Sequence, residues 1–300
     1  MNLGREKLAW SQEIWNRIDQ AVHDECERTK VAAKFIPLYG PVSPAQLTIP
    51  SDTIATAAPL SVEETATADI VELLVEFTMT QQQVEREEEL MTAVTLATRA
   101  ANLLSQGEDV LIFQGGKAVK SHPLFKAKKV RVKSGDAGLG LLNAPKSDVQ
   151  IVPVAALESE EPTRRYGENT FAAVSEAYSR LQSGQGLNQA HYGPYALVLH
   201  HEPYADTYAP LATTLIMPAD RIKPLVTEGF RGTGTLPELR GILVSLGGNT
   251  MDLVMGMDTT TAFLQEDTEG NYRFRVFERF ALRLKDESSV IRLEFEKDNG

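Results

Sequence analysis

The chain has 300 residues, of which 42% are hydrophobic, and its 41 acidic and 30 basic side chains leave a formal charge of −11. This length supplies a core for one large domain or two smaller ones, and the acidic balance argues against a general nucleic-acid binder, which needs a basic surface. The sequence has no apolar run long enough to span a membrane, no secretory signal and a single cysteine, Cys26. These features predict a cytoplasmic protein without a disulfide or a thiolate metal cluster.

The first predicted element is an amphipathic helix over residues 11–30, with Ser11 as its N-cap. Its apolar face carries Ile14, Trp15, Ile18, Val22 and Cys26. Because Cys26 lies on this face, we interpret it as a buried, unreactive thiol rather than a nucleophile. Pro37 cannot continue the helix, so residues 32–38 are predicted to form a short strand or extended segment.

Residues 43–69 differ in composition from their neighbours, being rich in Ser, Thr, Ala and Pro. A connection of this length is unusual within a compact domain, so the segment is predicted to be functional, disordered or an arm. As an arm it would pair with a neighbouring subunit by β-augmentation, since an extended segment offers free backbone hydrogen-bonding groups. Residues 70–79 return to the apolar character of a strand.

The longest predicted element is a helix over residues 84–113, about 40 Å long at 1.5 Å per residue. Its apolar face comprises Leu90, Val94, Ala97, Ala101 and Leu104. Four glutamates within residues 85–89 lie at its start, where carboxylates favour the positive end of the helix dipole. Gly107 is predicted to bend the helix near its end.

The segment that follows, residues 117–133, carries seven Lys or Arg residues and no acid. In a chain of negative net charge this asymmetry indicates a partner of opposite charge. The leading candidate is an acidic stretch of an adjacent copy, at residues 85–89 or 158–161. RNA and a merely solvated surface remain as alternatives.

The second half alternates shorter elements and shows no internal repeat. Strands are predicted at 149–154, 195–199, 242–246, 253–257, 262–264, 274–284 and 290–295, with helices at 170–182 and 220–227. Strands and helices do not alternate regularly, so the predicted class is α+β rather than a βαβ fold.

No motif predicts catalysis, a cofactor or a metal. His200 and His201 end a predicted strand, without the third ligand or the spacing of a zinc site. The glycine-rich runs at 135–140 and 232–234 lack the strand, helix and lysine of a phosphate loop. The prediction is that the protein is not an enzyme.

A series of motifs in this order resembles the encapsulins, the shell proteins of bacterial nanocompartments, which share the fold of tailed-phage major capsid proteins. The motifs are IWNRID at 14–19, KFI at 34–36 with GP at 40–41, EDVLIFQG at 108–115, GLLN at 140–143, GPYALVL at 193–199, GGNTMDLVMGMD at 247–258 and the segment 273–293. Together they cover nearly the whole chain.

The resemblance implies how the chain is divided. The expected parts are an N-terminal helix and the start of a peripheral domain at 1–44, an extended loop at 45–72, the peripheral domain with its spine helix at 73–130, an axial domain at 131–258, and C-terminal strands of the peripheral domain at 259–300. The extended loop is expected to reach over a neighbouring subunit.

The resemblance also implies function. The chain is expected to assemble with itself into an icosahedral cytoplasmic shell around a cargo enzyme, which docks by a C-terminal targeting peptide in an apolar groove at the N-terminal helix and C-terminal strands. The candidate groove residues are Ile18, Val22, Phe35, Leu38, Ile291 and Leu293. The alternative for these side chains is plain intramolecular core.

The expected cargo is a ferritin-like iron oxidase, connected with iron storage and oxidative stress, ahead of a haem peroxidase. The main alternative is a phage or prophage major capsid protein that packages DNA; the early start of the first helix favours the cargo shell. A soluble enzyme is the third reading, and it lacks a candidate nucleophile, base or metal cluster.

Overall fold

A computed structural model describes residues 3–55, 61–154, 166–185, 189–210 and 215–297. Within them lie two five-stranded mixed sheets, a separate two-stranded hairpin and nine α-helices. The predicted α+β class is confirmed. No helix of this described part is both long and apolar enough to cross a membrane.

Helix α1 spans Gln12–Thr29 and begins where the sequence predicts, because the Ser11 side chain accepts a hydrogen bond from the Ile14 N–H. Its predicted apolar face is buried from Ile14 to Cys26. The prediction of an extended segment at 32–38 is wrong at its start. Ala32–Lys34 forms a 3-10 turn, and only the two-residue strand β1, Leu38–Tyr39, is extended.

The Ser/Thr-rich segment folds into strands β2, Thr48–Ala55, and β3, Ser61–Asp69. These two strands pair only with each other among the described strands, and they form the arm-like hairpin. The chain then enters strand β4, Val71–Thr80, as predicted.

The predicted helix over 84–113 is interrupted near its start. It divides into α2, Gln81–Glu85, α3, Glu87–Leu90, and α4, Thr92–Gln114. Met91 between α3 and α4 adopts a left-handed conformation with φ of 48°. Leu90 is therefore exposed, although the periodicity placed it on the buried face.

Two residues, Glu87 and Gly107, determine where α4 begins and how closely it packs. The buried Glu87 carboxylate accepts hydrogen bonds from the backbone N–H groups of Ala93 (2.8 Å) and Val94 (3.3 Å), so it caps α4. Helix α4 continues through Gly107 without a break, and the bend expected there stays a prediction. A Cβ at Gly107 would lie 2.8 Å from Val130 Cγ1, so this glycine permits close packing.

The first sheet supports α1 and α4. After α4 come the short helices α5, Ala118–Ser121, and α6, Pro123–Lys126, then strand β5, Arg131–Ser134. The two longest strands are β10, Met251–Glu266, and β11, Asn271–Leu284. The strand order is β1-β10-β11-β4-β5, and β10 is one irregular strand where two were predicted.

The second sheet has the order β6-β12-β9-β7-β8. Its strands are β6, Asp148–Val154, β7, Tyr195–His200, β8, Gly229–Thr233, β9, Arg240–Ser245, and β12, Val290–Lys297. The helices of this half are α7, Gly167–Ser183, α8, His201–Asp206, and α9, Pro218–Ile222. One sheet face packs under α7 around Leu197, and the other face joins the main core through Val198.

The sheets do not coincide with the expected domain boundaries. Strand β12 was expected among the C-terminal strands of the peripheral domain, but it lies inside the second sheet between β6 and β9. Conversely, β5 and the start of β10 fall within 131–258 and belong to the first sheet. Strand pairing joins segments far apart in the chain, which a contiguous division cannot express.

Candidate functional site

A groove of about 360 Å³ lies between the C-terminal half of α1, residues 33–38 and strand β10. This volume falls within the usual range for ligand sites. The groove is lined by His23, Cys26, Glu27, Lys30, Ala33, Lys34, Leu38, Glu108, Met255 and Asp258. Leu38 is 63% exposed at its edge, so an apolar side chain faces the open groove.

Hydrogen bonds to α4 and β10 hold the groove wall in place. The Asp109 carboxylate accepts hydrogen bonds from the N–H groups of Val31 (3.0 Å) and Ala32 (2.9 Å), which ties the turn after α1 to α4. The Leu253 N–H donates to the Pro37 carbonyl at 2.8 Å, and β1 pairs in parallel with β10. These bonds position Leu38 from both sides.

A buried ionic cluster lies beneath the groove. The Lys30 ammonium contacts the Glu108 carboxylate on α4 and lies 2.6 Å from Glu278 Oε2 on β11. Both carboxylates are fully buried, and Thr259 Oγ1 donates a further hydrogen bond to Glu278 at 2.8 Å. Lys30 therefore links the end of α1 to α4 and to the central strand of the first sheet.

The cluster has more carboxylates than cations. Burial raises the pKa of Asp109 to about 7. Burial also raises the pKa of Glu108 well above its ordinary value, and the neighbouring Glu278 carboxylate adds to that increase. Burial lowers the pKa of Lys30, but the carboxylates of Glu108 and Glu278 outweigh it and hold the pKa well above the ordinary value. These shifts favour a charged Lys30 and oppose the ionisation of Glu108.

The groove contains no catalytic arrangement among the described residues. Burial raises the pKa of the Cys26 thiol, which therefore stays protonated and weakly nucleophilic. In the described ranges no group of three or more His, Cys, Asp and Glu side chains could hold a metal ion. His200 ends β7, its ring centroid 4.0 Å from that of His201.

The structure brings only some of the predicted groove residues to the groove. Leu38 lines it, whereas Ile18, Val22 and Phe35 are buried in the main core beside it, at 0%, 1% and 6% exposure. For these three the intramolecular-core reading describes the observed packing. Their part in peptide docking remains a prediction.

Ile291 and Leu293 do not share a groove with α1. Both are fully buried in the core beneath α7, because alternate residues of β12 face opposite sides of the second sheet. Val290, on the other side, joins the main core instead. The structure therefore does not place these two residues at the groove, and their part in peptide docking stays a prediction.

Sequence reasoning missed several groove residues, and one signal could have found part of them. His23, Cys26, Glu27 and Lys30 recur at three- and four-residue steps along one edge of α1. That edge borders the buried face of α1, and residues 33–38 and strand β10 leave it partly uncovered, which forms the groove. Met255 gave no such signal, because its position depends on strand pairing.

The fold and the sequence were compared with known proteins. A family model described as an encapsulating protein for peroxidase matches residues 1–139 and 148–281. The type 1 encapsulin shell protein EncA of Myxococcus xanthus is 27% identical over 97% of this chain and 96% of its own length.

Solved structures support the same fold. The virus-like particle of Pyrococcus furiosus has a TM-score of 0.67 at 17% identity, covering 94% of this chain and all of that one. The capsid of Myoviridae phage XM1 has a TM-score of 0.59 at 10% identity, covering 89% and 92%. The predicted tailed-phage capsid fold is thus confirmed. By the extent of the family match, the chain belongs to the encapsulin family of shell proteins, which are structural proteins rather than enzymes.

Proposed function

We propose that this chain forms an icosahedral, cytoplasmic nanocompartment and that its cargo enzyme docks by a C-terminal peptide in the groove beside α1. Family membership supports the shell itself. The observation that carries the docking site is the groove, whose open edge presents Leu38 at 63% exposure.

The groove offers two kinds of contact to an extended peptide. Leu38, Met255 and Cys26 supply an apolar surface for one or two aliphatic side chains. Strand β1 is the edge of the first sheet, so Leu38 and Tyr39 leave one side of their backbone open to a peptide strand. Glu27 and Lys34 at the rim supply polar partners for the rest of the peptide.

A groove of this size predicts modest affinity for a single peptide. Many copies of the groove would face a cargo that is itself oligomeric, and multivalent attachment then raises the effective affinity without new contacts. We propose a ferritin-like iron oxidase as the cargo class, ahead of a haem peroxidase, as the resemblance to encapsulins implies. The shell would then confine iron oxidation.

Co-expression with a tagged reporter tests the docking site. The reporter is a fluorescent protein carrying the C-terminal tail of a ferritin-like protein from the same organism, the proposed cargo class. Wild-type shells are expected to co-purify with the reporter, and Leu38→Asp is expected to lower loading about tenfold or more, since it places a charge against the apolar anchor. Negative-stain electron microscopy checks that shells still form.

The matched control is Leu215→Asp, which changes a leucine that is 83% exposed and outside the groove. Its loading should equal wild type. Equal loading of the Leu38→Asp shell would contradict the groove assignment. Shells filled with nucleic acid, detected by the absorbance ratio at 260 and 280 nm, would favour the phage-capsid alternative.

A further inference from the structure

The basic segment after α4 forms an exposed positive surface. It carries Lys117, Lys120, Lys126, Lys128 and Lys129 on and around α5 and α6, here called the lysine surface. All five side chains are exposed, and among the described residues none has an ion pair. The next two cations differ: Arg131 contacts Glu76, and Lys133 Nζ lies 2.9 Å from Glu72 Oε1.

The lysine surface is held on a fixed support. Ala118, Phe125 and Val130 are buried in the main core at 2%, 7% and 1% exposure. Because these anchors alternate with the lysines, the ammonium groups project from an ordered surface rather than from a loose tail. An ordered patch of like charge favours an equally ordered acidic partner.

The hairpin of β2 and β3 is anchored at its base, where Ile49 is 4% exposed and packs on the first sheet, while its far end carries the complementary charge. Ser61, Val62, Glu63 and Glu64 are consecutive and all exposed, so both faces of β3 are open there. In the described part of the chain neither Glu63 nor Glu64 makes an ion pair, and together with Val62 they form what we call the acidic hairpin.

We propose that the lysine surface of one subunit receives the acidic hairpin of a neighbouring copy. This rests on the shell assembly of the family and names the contact that would orient neighbouring subunits. Copies with a net charge of −11 repel one another, so a local contact between opposite charges at their boundary favours association. The same contact would bury the Val62 side chain, which is 56% exposed in the single subunit.

The acidic stretches first considered as partners fit less well. At residues 85–89, Glu87 is buried as the cap of α4, and Glu89 is already paired with Arg86 at 2.8 Å. Residues 158–161 lie outside the described residues. Nucleic acid would match the lysine charge, but it would leave the hairpin uncovered.

A charge-swap experiment on the full chain tests the contact. Lys126→Glu with Lys129→Glu places like charges together, and the fraction of protein in closed shells is expected to fall about tenfold or more. Glu63→Lys with Glu64→Lys should do the same. The four changes combined restore opposite charges and should recover shells, measured by size-exclusion chromatography and negative-stain electron microscopy.

Two matched controls keep the number of reversed charges constant. Lys7→Glu with Lys146→Glu and Glu266→Lys with Glu269→Lys alter exposed charges outside both surfaces, and these variants should assemble as wild type. Recovery of shells in the variant with all four substitutions excludes misfolding as the reason why the double variants lose them. Failure to recover, or normal assembly of either double variant, would overturn the proposal.

Other outcomes separate this proposal from the shell and docking assignments. If the wild-type chain forms no shells, the shell function is wrong, and the proposed contact, which rests on it, is wrong as well. If the lysine variant forms normal shells but loses bound nucleic acid, the lysine surface binds nucleic acid and the proposed contact is wrong. Peptide loading depends on the separate Leu38 groove and is read independently.

Discussion

Lys30 and the five lysines of the lysine surface have the same side chain in opposite environments, one buried and the other exposed. Lys30 is 8% exposed and touches two fully buried carboxylates, whereas the five lysines of residues 117–129 are exposed and without ion pairs in the described part of the chain. A buried charged side chain needs its partner within the same subunit, because loss of that partner leaves an unpaired ion in the core. An exposed charge contributes little to its own subunit and is free to meet another copy.

The largest expected effect comes from removing the buried cation. Lys30→Met leaves Glu108 and Glu278 buried without their ammonium, so the free energy of unfolding should fall by about 3–5 kcal/mol. Urea unfolding at fixed protein concentration measures this change. Adding Glu108→Gln and Glu278→Gln should recover part of the loss, because the buried negative charge is then removed as well.

The matched control for that change is Lys34→Met. Lys34 lies in the same groove but is exposed, and within the described ranges its ammonium donates one hydrogen bond, to the Arg28 carbonyl at 3.0 Å. Its stability should stay within about 0.5 kcal/mol of wild type. A similar loss for both variants would show that burial is not what distinguishes Lys30.

The second effect is a pH dependence at the end of α1. Burial raises the pKa of Asp109 to about 7, and Lys30, Glu108 and Glu278 are the charged groups of this cluster. The folded chain thus retains a proton that an unfolded aspartate releases near pH 4. The resulting stabilisation is complete below that pH and is lost as the pH rises through about 7, by about 2–3 kcal/mol between about pH 5 and pH 8.

Comparison with Asp109→Asn isolates this contribution, because the amide cannot titrate. The difference in free energy of unfolding between the two proteins, measured by urea at each pH, should shrink as the pH rises over that interval. A difference that stays constant would mean that Asp109 keeps an ordinary pKa.

The smallest expected effect concerns the lysine surface within a single subunit. Lys126→Met with Lys129→Met should change the free energy of unfolding of dissociated subunits by less than about 0.5 kcal/mol, since neither side chain has an ion pair with any residue that the structure describes. Thermal unfolding below the assembly concentration measures it. A loss of several kcal/mol would mean that these lysines stabilise their own fold.

Local patterns predicted the elements whose signals lie within a few residues. Ser11 and the three- and four-residue spacing of apolar side chains were enough for α1, and the same periodicity located α7. A short apolar run after the Gly-Pro turn at 193–194 located the buried strand β7. The break at Met91 was missed because it depends on Glu87 folding back onto the first turn of α4. The apolar periodicity continues across Met91, so it predicted a single helix over residues 84–113.

The candidate site was predicted only in outline. The N-terminal helix and Leu38 belong to the groove, but Ile291 and Leu293 lie beneath α7, because β12 joins the second sheet.

The class of the fold, the family and the order of most helices and strands could be predicted from local patterns, because caps, periodicity and short motifs act over neighbouring residues. Which strands share a sheet and which charges are buried together depends on contacts between residues far apart in the chain. Lys30, Glu108 and Glu278 meet from three distant parts of the chain, and long-range packing alone sets such a meeting.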